Sequence, residues 1–198
     1  SIEVPMKILV FLGSPRRKGN SESAAVTVVD QLIATLGAEA EYIRLAKEDI
    51  SPCIACGGCD KTGECIVKDG MVDLYERIDG ADLLFMVSPT YFYGLSAQLK
   101  GFIDRIQCRW SRKYLLKLPI RKGEHRRGYL ICTAATHGKK LFDGSILVAK
   151  SFYDAIDVRY GGELLIRGVD QRGEFSNNQE EIERAQLFAK EIASHFSG

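Results

Sequence analysis

Apolar residues follow two rhythms along this chain. Short unbroken runs, Met6–Leu12 (MKILVFL), Ala81–Val87 (ADLLFMV) and Gly128–Thr133 (GYLICT), alternate with stretches where apolar positions recur every third or fourth residue. An unbroken run of this length predicts a strand buried on both faces, as in a parallel sheet. Glu41–Leu45 and Tyr160–Ile166 are two further strand candidates. Between the strands, Ala25, Val28, Val29, Leu32 and Leu36 mark one face of a helix over Ser21–Leu36, with Asn20 or Ser21 as its cap and Gly37 as its stop. Leu95, Leu99, Phe102, Ile103 and Ile106 keep helical spacing, Asp143–Ile156 predicts another helix, and Ile182, Ala185, Ala189, Ile192 and Phe196 place one more near the end. No element is assigned between Leu45 and Ala81.

Strands alternating with helices predict an α/β fold, a parallel sheet covered on both sides. Five strands suit a three-layer, doubly wound, flavodoxin-like sheet in the order 2-1-3-4-5, here expected as one domain over residues 1–198 with a cysteine-rich loop at about 50–70. The composition is that of a soluble globular chain: 45% hydrophobic and 27% charged, with a net charge of +1 that gives no sign of nucleic-acid binding. No run approaches the roughly 20 apolar residues of a membrane helix, and the start of the chain lacks the basic region and cleavage site of a signal peptide. Six cysteines in 198 residues is too few for a disulfide scaffold, so a reducing, cytoplasmic setting is expected.

In sheets of this kind ligands bind beyond the carboxyl ends of the strands. The loop after the first strand reads GSPRRKGNS. It joins a helix start to the hydroxyls of Ser14 and Ser21, the amide of Asn20 and the guanidinium groups of Arg16 and Arg17. These are donors suited to a phosphate monoester; the alternative is a polar turn capping a helix. It matches neither an ATP-type phosphate loop nor the glycine fingerprint of dinucleotide folds. The loop after the third strand, SPTYFYG, sets Tyr91, Phe92 and Tyr93 between Pro89 and Gly94. Exposed aromatics there suggest a planar ligand, and a ring joined to a phosphate points to FMN. The alternative is an aromatic cluster that packs the loop onto the body.

The pattern GSPR-x-x-GNS, then SPTY-x-x-G followed by QLKGFIDR, resembles the NADPH-dependent FMN reductase-like family in consistent order along nearly the whole chain. The resemblance implies that Ser14, Arg16, Asn20 and Ser21 hold the FMN phosphate. It implies that Pro89, Thr90, Tyr91, Phe92, Tyr93 and Gly94 border the isoalloxazine. A third flavin-contacting segment falls on Ala135, Thr136, His137 and Gly138, where Thr136 and His137 stand in place of common glycines.

Cys53, Cys56, Cys59 and Cys65 follow the second strand with the spacing C-x2-C-x2-C-x5-C. Two disulfides fit poorly in a reducing compartment, and zinc ribbons separate their cysteine pairs more widely. Overlapping C-x2-C-x2-C suits the wrap around a cubane [4Fe–4S] cluster, with Gly57, Gly58 and Gly63 letting the backbone curl. The proline that follows the fourth ferredoxin cysteine is replaced by Ile66. The motif resembles the iron–sulfur flavoprotein branch of the family; the alternative is a cysteine-rich lid without a cluster. In Lys68–Met71 (KDGM), where relatives carry two acidic residues, Gly70 is expected to loosen the turn.

The resemblance implies an FMN-dependent oxidoreductase that passes electrons between FMN and a one-electron carrier through the cluster, with NAD(P)H or a ferredoxin-like donor, a small-molecule or protein acceptor, and a homodimeric or homotetrameric assembly. Two alternatives stand beside it: a cluster-free NAD(P)H-dependent reductase of FMN, quinones or nitro compounds, and a flavodoxin-like carrier without turnover. No side chain is assigned a catalytic acid or base role. No Ser–His–Asp arrangement is suggested, and His125, His137 and His195 lack metal-ligand spacing. Cys108 and Cys132 read as buried thiols, and Asp104 as half of a salt bridge. Finally, Arg105, Arg109, Arg112, Lys113, Lys117, Arg121, Lys122, Arg126 and Arg127 make a basic region interleaved with Trp110, Tyr114 and Leu116. A solvated or subunit-contacting face is expected there, with docking of an acidic partner or the NADPH phosphate as the alternative.

Overall fold

The computed structural model describes residues 4–121 and 125–197. Lys122 of the basic region lies outside the described residues, as do residues 1–3, 123, 124 and 198 of the expected domain. In chain order the elements are β1 (Lys7–Leu12), α1 (Asn20–Leu36), β2 (Glu39–Arg44), α2 (Cys59–Thr62), α3 (Met71–Gly80), β3 (Leu83–Pro89), α4 (Ala97–Asp104), α5 (Gln107–Trp110), β4 (Arg127–Ala134), α6 (Asp143–Ala155), β5 (Arg159–Arg167) and α7 (Gln179–Ser194). The sheet has the order β2-β1-β3-β4-β5, and every pairing is parallel.

Each apolar run divides its side chains between two layers, because successive strand residues face opposite ways. Ile8, Val10 and Leu12 of β1 pack with Phe85 of β3 against Val28, Val29 and Leu32 of α1 and Ala185 and Ala189 of α7. Leu9 and Phe11 point the other way, toward Leu74 and Ile78 of α3, Phe102 of α4 and Phe152 of α6. All of these side chains are buried. Among the described residues no helix is long and apolar enough to cross a membrane.

Several expectations need correction. The unassigned stretch before β3 holds α3, whose buried Met71, Leu74, Tyr75 and Ile78 keep helical spacing. Gly70 does not loosen its turn. It is the N-cap of α3, its N–H donates to Asp49 O at 2.8 Å, and a Cβ there would lie 2.8 Å from that same oxygen. Close approach, not flexibility, requires glycine here. The N-cap of α1 is Gly19, with no side chain capping it; Asn20 and Ser21 are its first two residues. Gly37 ends α1 in the left-handed conformation as expected (φ 64°).

The basic region is not a solvated face throughout. Arg105, Arg109 and Arg126 are buried. Arg109 forks onto Asp79 at 2.8 and 3.1 Å. Arg126 donates to Ile78 O, Ala81 O and Ile156 O at 2.6–3.1 Å, placing a cation where α3 and α6 end. Arg121 pairs with Asp82. The sequence counts these charges but does not reveal the carbonyls and carboxylates that take them up. Asp104 pairs with Lys100 on the exposed face of α4, and Cys108 and Cys132 are buried.

Candidate functional site

The loops leaving the carboxyl ends of the strands are tied to one another. Gly13 N–H donates to Val87 O (2.8 Å) and Thr90 N–H to Thr133 O (2.8 Å), while Val169 N–H reaches Ala134 O (3.1 Å). Ser96 Oγ donates to Gly13 O at 2.7 Å, so the loops after β1 and β3 share a hydrogen bond. A Cβ at Gly13 would sit 2.8 Å from that Oγ, which is why the loop begins with glycine.

These ties draw the loops into one pocket. Ser14, Arg16, Asn20 and Ser21 line it from the first loop, Pro89, Thr90 and Tyr91 from the second, Ala135 from the third, and Val169 and Asp170 from the loop after β5. No side chain caps α1, whose start, Gly19, Asn20 and Ser21, lines the pocket, so its first-turn N–H groups are left without a side-chain partner there. Asn20 plays a different part from its neighbours. Its Nδ2 donates to Gln171 O (2.9 Å) and its Oδ1 accepts from Phe175 N–H (3.0 Å), so its amide holds the fourth loop in place. Arg44, at the end of β2, went unassigned in the sequence. It donates to Ser14 O and Arg16 O at 3.3 and 3.1 Å and pairs with Glu22 at 2.7 Å, fixing the first loop from beneath. A lone arginine ending a strand beside a phosphate-type loop was the available signal.

Phe92, Tyr93 and Gly94 do not line the pocket; they form a tip beside it. Tyr91 and Gly94 exchange two N–H···O bonds of 3.0 Å, closing a turn whose central residues, Phe92 and Tyr93, both have positive φ (48° and 63°). Such turns favour Asn-Gly. Bulky side chains in this conformation are strained, and Phe92 is fully exposed. Thr136, His137 and Gly138 are exposed too and lie outside the lining. The His137 ring covers Gly168, where a Cβ would come within 2.8 Å of it.

All four clustered cysteines line a second concavity of about 460 Å³, together with Arg105 and Cys108. Ala55, Gly57 and Gly63 take positive φ along this loop. Arg105 Nη2 donates to Cys65 Sγ at 3.4 Å and Ser111 Oγ to Cys59 Sγ at 3.8 Å. Burial pushes the Cys59 thiol up, and the Ser111 hydroxyl offsets part of that rise. The cysteines of the described chain are free thiols. No three His, Cys, Asp or Glu side chains among the described residues are gathered into a metal-ligating set.

Residues 6–140 match the NADPH-dependent FMN reductase family. The chain belongs to that family. The matched span includes the loops after β1, β2, β3 and β4, and so the whole lining of the cysteine concavity and all of the first pocket's lining in this FMN reductase family member except Val169 and Asp170. It is 39% identical over 100 residues to an iron–sulfur flavoprotein of Methanocaldococcus jannaschii, covering 50% of this chain and 51% of that protein. It is 33% identical over 115 residues to an iron–sulfur flavoprotein of Methanosarcina thermophila, covering 57% and 58%. The chain thus spans about half the length of the curated relatives it matches. In fold it is similar to an NAD(P)H:quinone oxidoreductase from Methanothermobacter marburgensis, with a TM-score of 0.70 and 18% identity over 96% of this chain and 98% of that one.

Proposed function

We propose that this family member is an FMN-dependent oxidoreductase that draws electrons from NAD(P)H. The observation that carries the reading is the convergence of the loops after β1, β3 and β4 on one pocket. Ser14, Arg16, Ser21 and the open start of α1 are donors suited to the FMN phosphate, and Pro89, Thr90, Tyr91 and Ala135 are placed to meet its ring. Asn20 and Arg44 keep this donor set in register. Thr136, His137 and Gly138 contribute only if the exposed third loop folds over the ring. The residues bind, orient and shield; none is assigned a proton to transfer.

The finer part of the proposal is a [4Fe–4S] cluster held by Cys53, Cys56, Cys59 and Cys65. The donor set and the room fit it. A lone zinc ion draws its sulfurs to about 2.3 Å from one point, whereas a cubane lets each sulfur meet its own iron and needs the wider bowl these cysteines share. The names of the archaeal relatives agree with this part. When bound, FMN supplies hydride acceptance with release of single electrons, and the cluster supplies one-electron transfer. The dispersed thiols favour a second reading, an NAD(P)H-dependent reductase without a cluster.

Anaerobic purification followed by visible spectroscopy and iron and sulfide analysis separates them. About four irons and four sulfides per chain, with flavin bands, are expected. Flavin bands and NADPH oxidation with zinc, or with no metal, leave the reductase and remove the cluster. Failure to retain added FMN overturns the whole reading.

A further inference from the structure

Arg105 belongs to the basic region, yet its side chain is 1% exposed and its partner Asp69 is 6% exposed. It sits in the lining of the cysteine concavity. Nη1 donates to Ser51 O (2.8 Å) and Asp69 Oδ2 (2.6 Å). Nη2 donates to Cys65 Sγ (3.4 Å), Val67 O (3.2 Å) and Asp69 Oδ1 (3.1 Å). Ser51 lies two residues before the first cysteine of the cluster, and Val67 two residues after the last. One planar guanidinium therefore grips both ends of the cysteine loop. Asp69 is itself fixed by N–H bonds from Ser51 (2.9 Å) and Met71 (3.0 Å), and Tyr75 Oη holds Arg105 O at 2.7 Å. Arg105 Nε is buried with no hydrogen-bond partner among the described residues, which leaves one donor unspent beside the concavity.

We infer that Arg105 is a positioning residue for the group the four cysteines hold: its fork closes the loop and fixes Cys65, and its charge offsets the anionic sulfur set. This rests on the cluster reading above. Groups in this supporting position tune both retention and potential of a metal centre. A lysine keeps the charge but loses the fork; a glutamine loses both. A nearby cation favours the reduced, more negative state of a cluster, so removing it lowers the midpoint potential.

The test uses anaerobically purified wild-type chain, Arg105→Lys and Arg105→Gln, each checked for FMN retention. Both variants are expected to lose iron to a chelator about tenfold faster than wild type, with the midpoint potential near wild type in the lysine variant and lower in the glutamine variant. In the chelator-treated proteins, amide exchange over residues 51–69 is expected to quicken by about tenfold in both, with the sheet unchanged. Asp69→Asn, which leaves the guanidinium but removes its anchor, is expected to quicken exchange in the same segment and stands in if neither arginine variant folds. Wild-type iron loss, potential and exchange in every variant overturn the inference. If the wild-type chain takes up no iron, the cluster reading falls and exchange alone decides: quickened exchange leaves the clamp standing, and unchanged exchange overturns it.

Discussion

Asn20 and Asp69 show how much single side chains carry here. The sequence placed Asn20 among phosphate donors, and it does line the pocket, but its amide is committed to residues 171 and 175. Such a commitment joins positions more than 150 apart and leaves no local trace. Phe175 is buried, so Asn20→Ala strands its N–H. We expect a loss of about 1–3 kcal/mol, read as a lower urea midpoint. At Asp69, burial alone would raise the carboxyl; the Arg105 fork and the Ser51 and Met71 N–H bonds outweigh it and hold the group below the usual carboxylate range. A lowered folded value means that this stabilisation is complete above the unfolded value, about 3.9, and is lost as pH falls through the folded one. Acid titration of unfolding is expected to show stability falling below about pH 4, and Asp69→Asn to be less stable at neutral pH with a flatter acid limb.

At the scale of elements, β1, β3 and β4 were legible because burial on both faces writes an unbroken apolar run. The edge strands β2 and β5 are mixed and partly exposed and were placed by the strand–helix alternation, and α1 and α7 were legible because one apolar stripe marks each. α3 was passed over although Met71, Leu74, Tyr75 and Ile78 carry the same stripe. Its cap is glycine, and the carboxylate that accepts the Met71 N–H belongs to Asp69, one residue earlier, so the usual start signal is displaced. The tip at Phe92 and Tyr93 was legible as aromatic but not as strained, since backbone conformation is set by the paired Tyr91 and Gly94. Two bulky residues with positive φ cost on the order of 1–3 kcal/mol each. Replacing them as Phe92→Asn with Tyr93→Gly suits the turn. The double variant is expected to melt a few degrees higher and to bind FMN more weakly, if the tip serves the ring. Weaker FMN binding without a higher melting temperature would remove the strain argument, and unchanged FMN binding would remove the tip from the site.

Across the whole molecule, the two concavities differ in how they are built. The first is assembled by the sheet itself, since parallel strands deliver their loops to one edge, and the switch-point rule located it from the sequence alone. The second depends on Arg105, whose contacts across the loop no spacing reveals. The account stands or falls on the first. Its most direct test is the ratio of FMN to riboflavin dissociation constants, measured by flavin fluorescence. Charge-assisted hydrogen bonds to the phosphate, at about 1.5–3 kcal/mol each, should make FMN bind about a hundredfold tighter or more. Ser21→Ala should shrink that ratio while sparing riboflavin. Equal affinity for the two flavins would contradict the account.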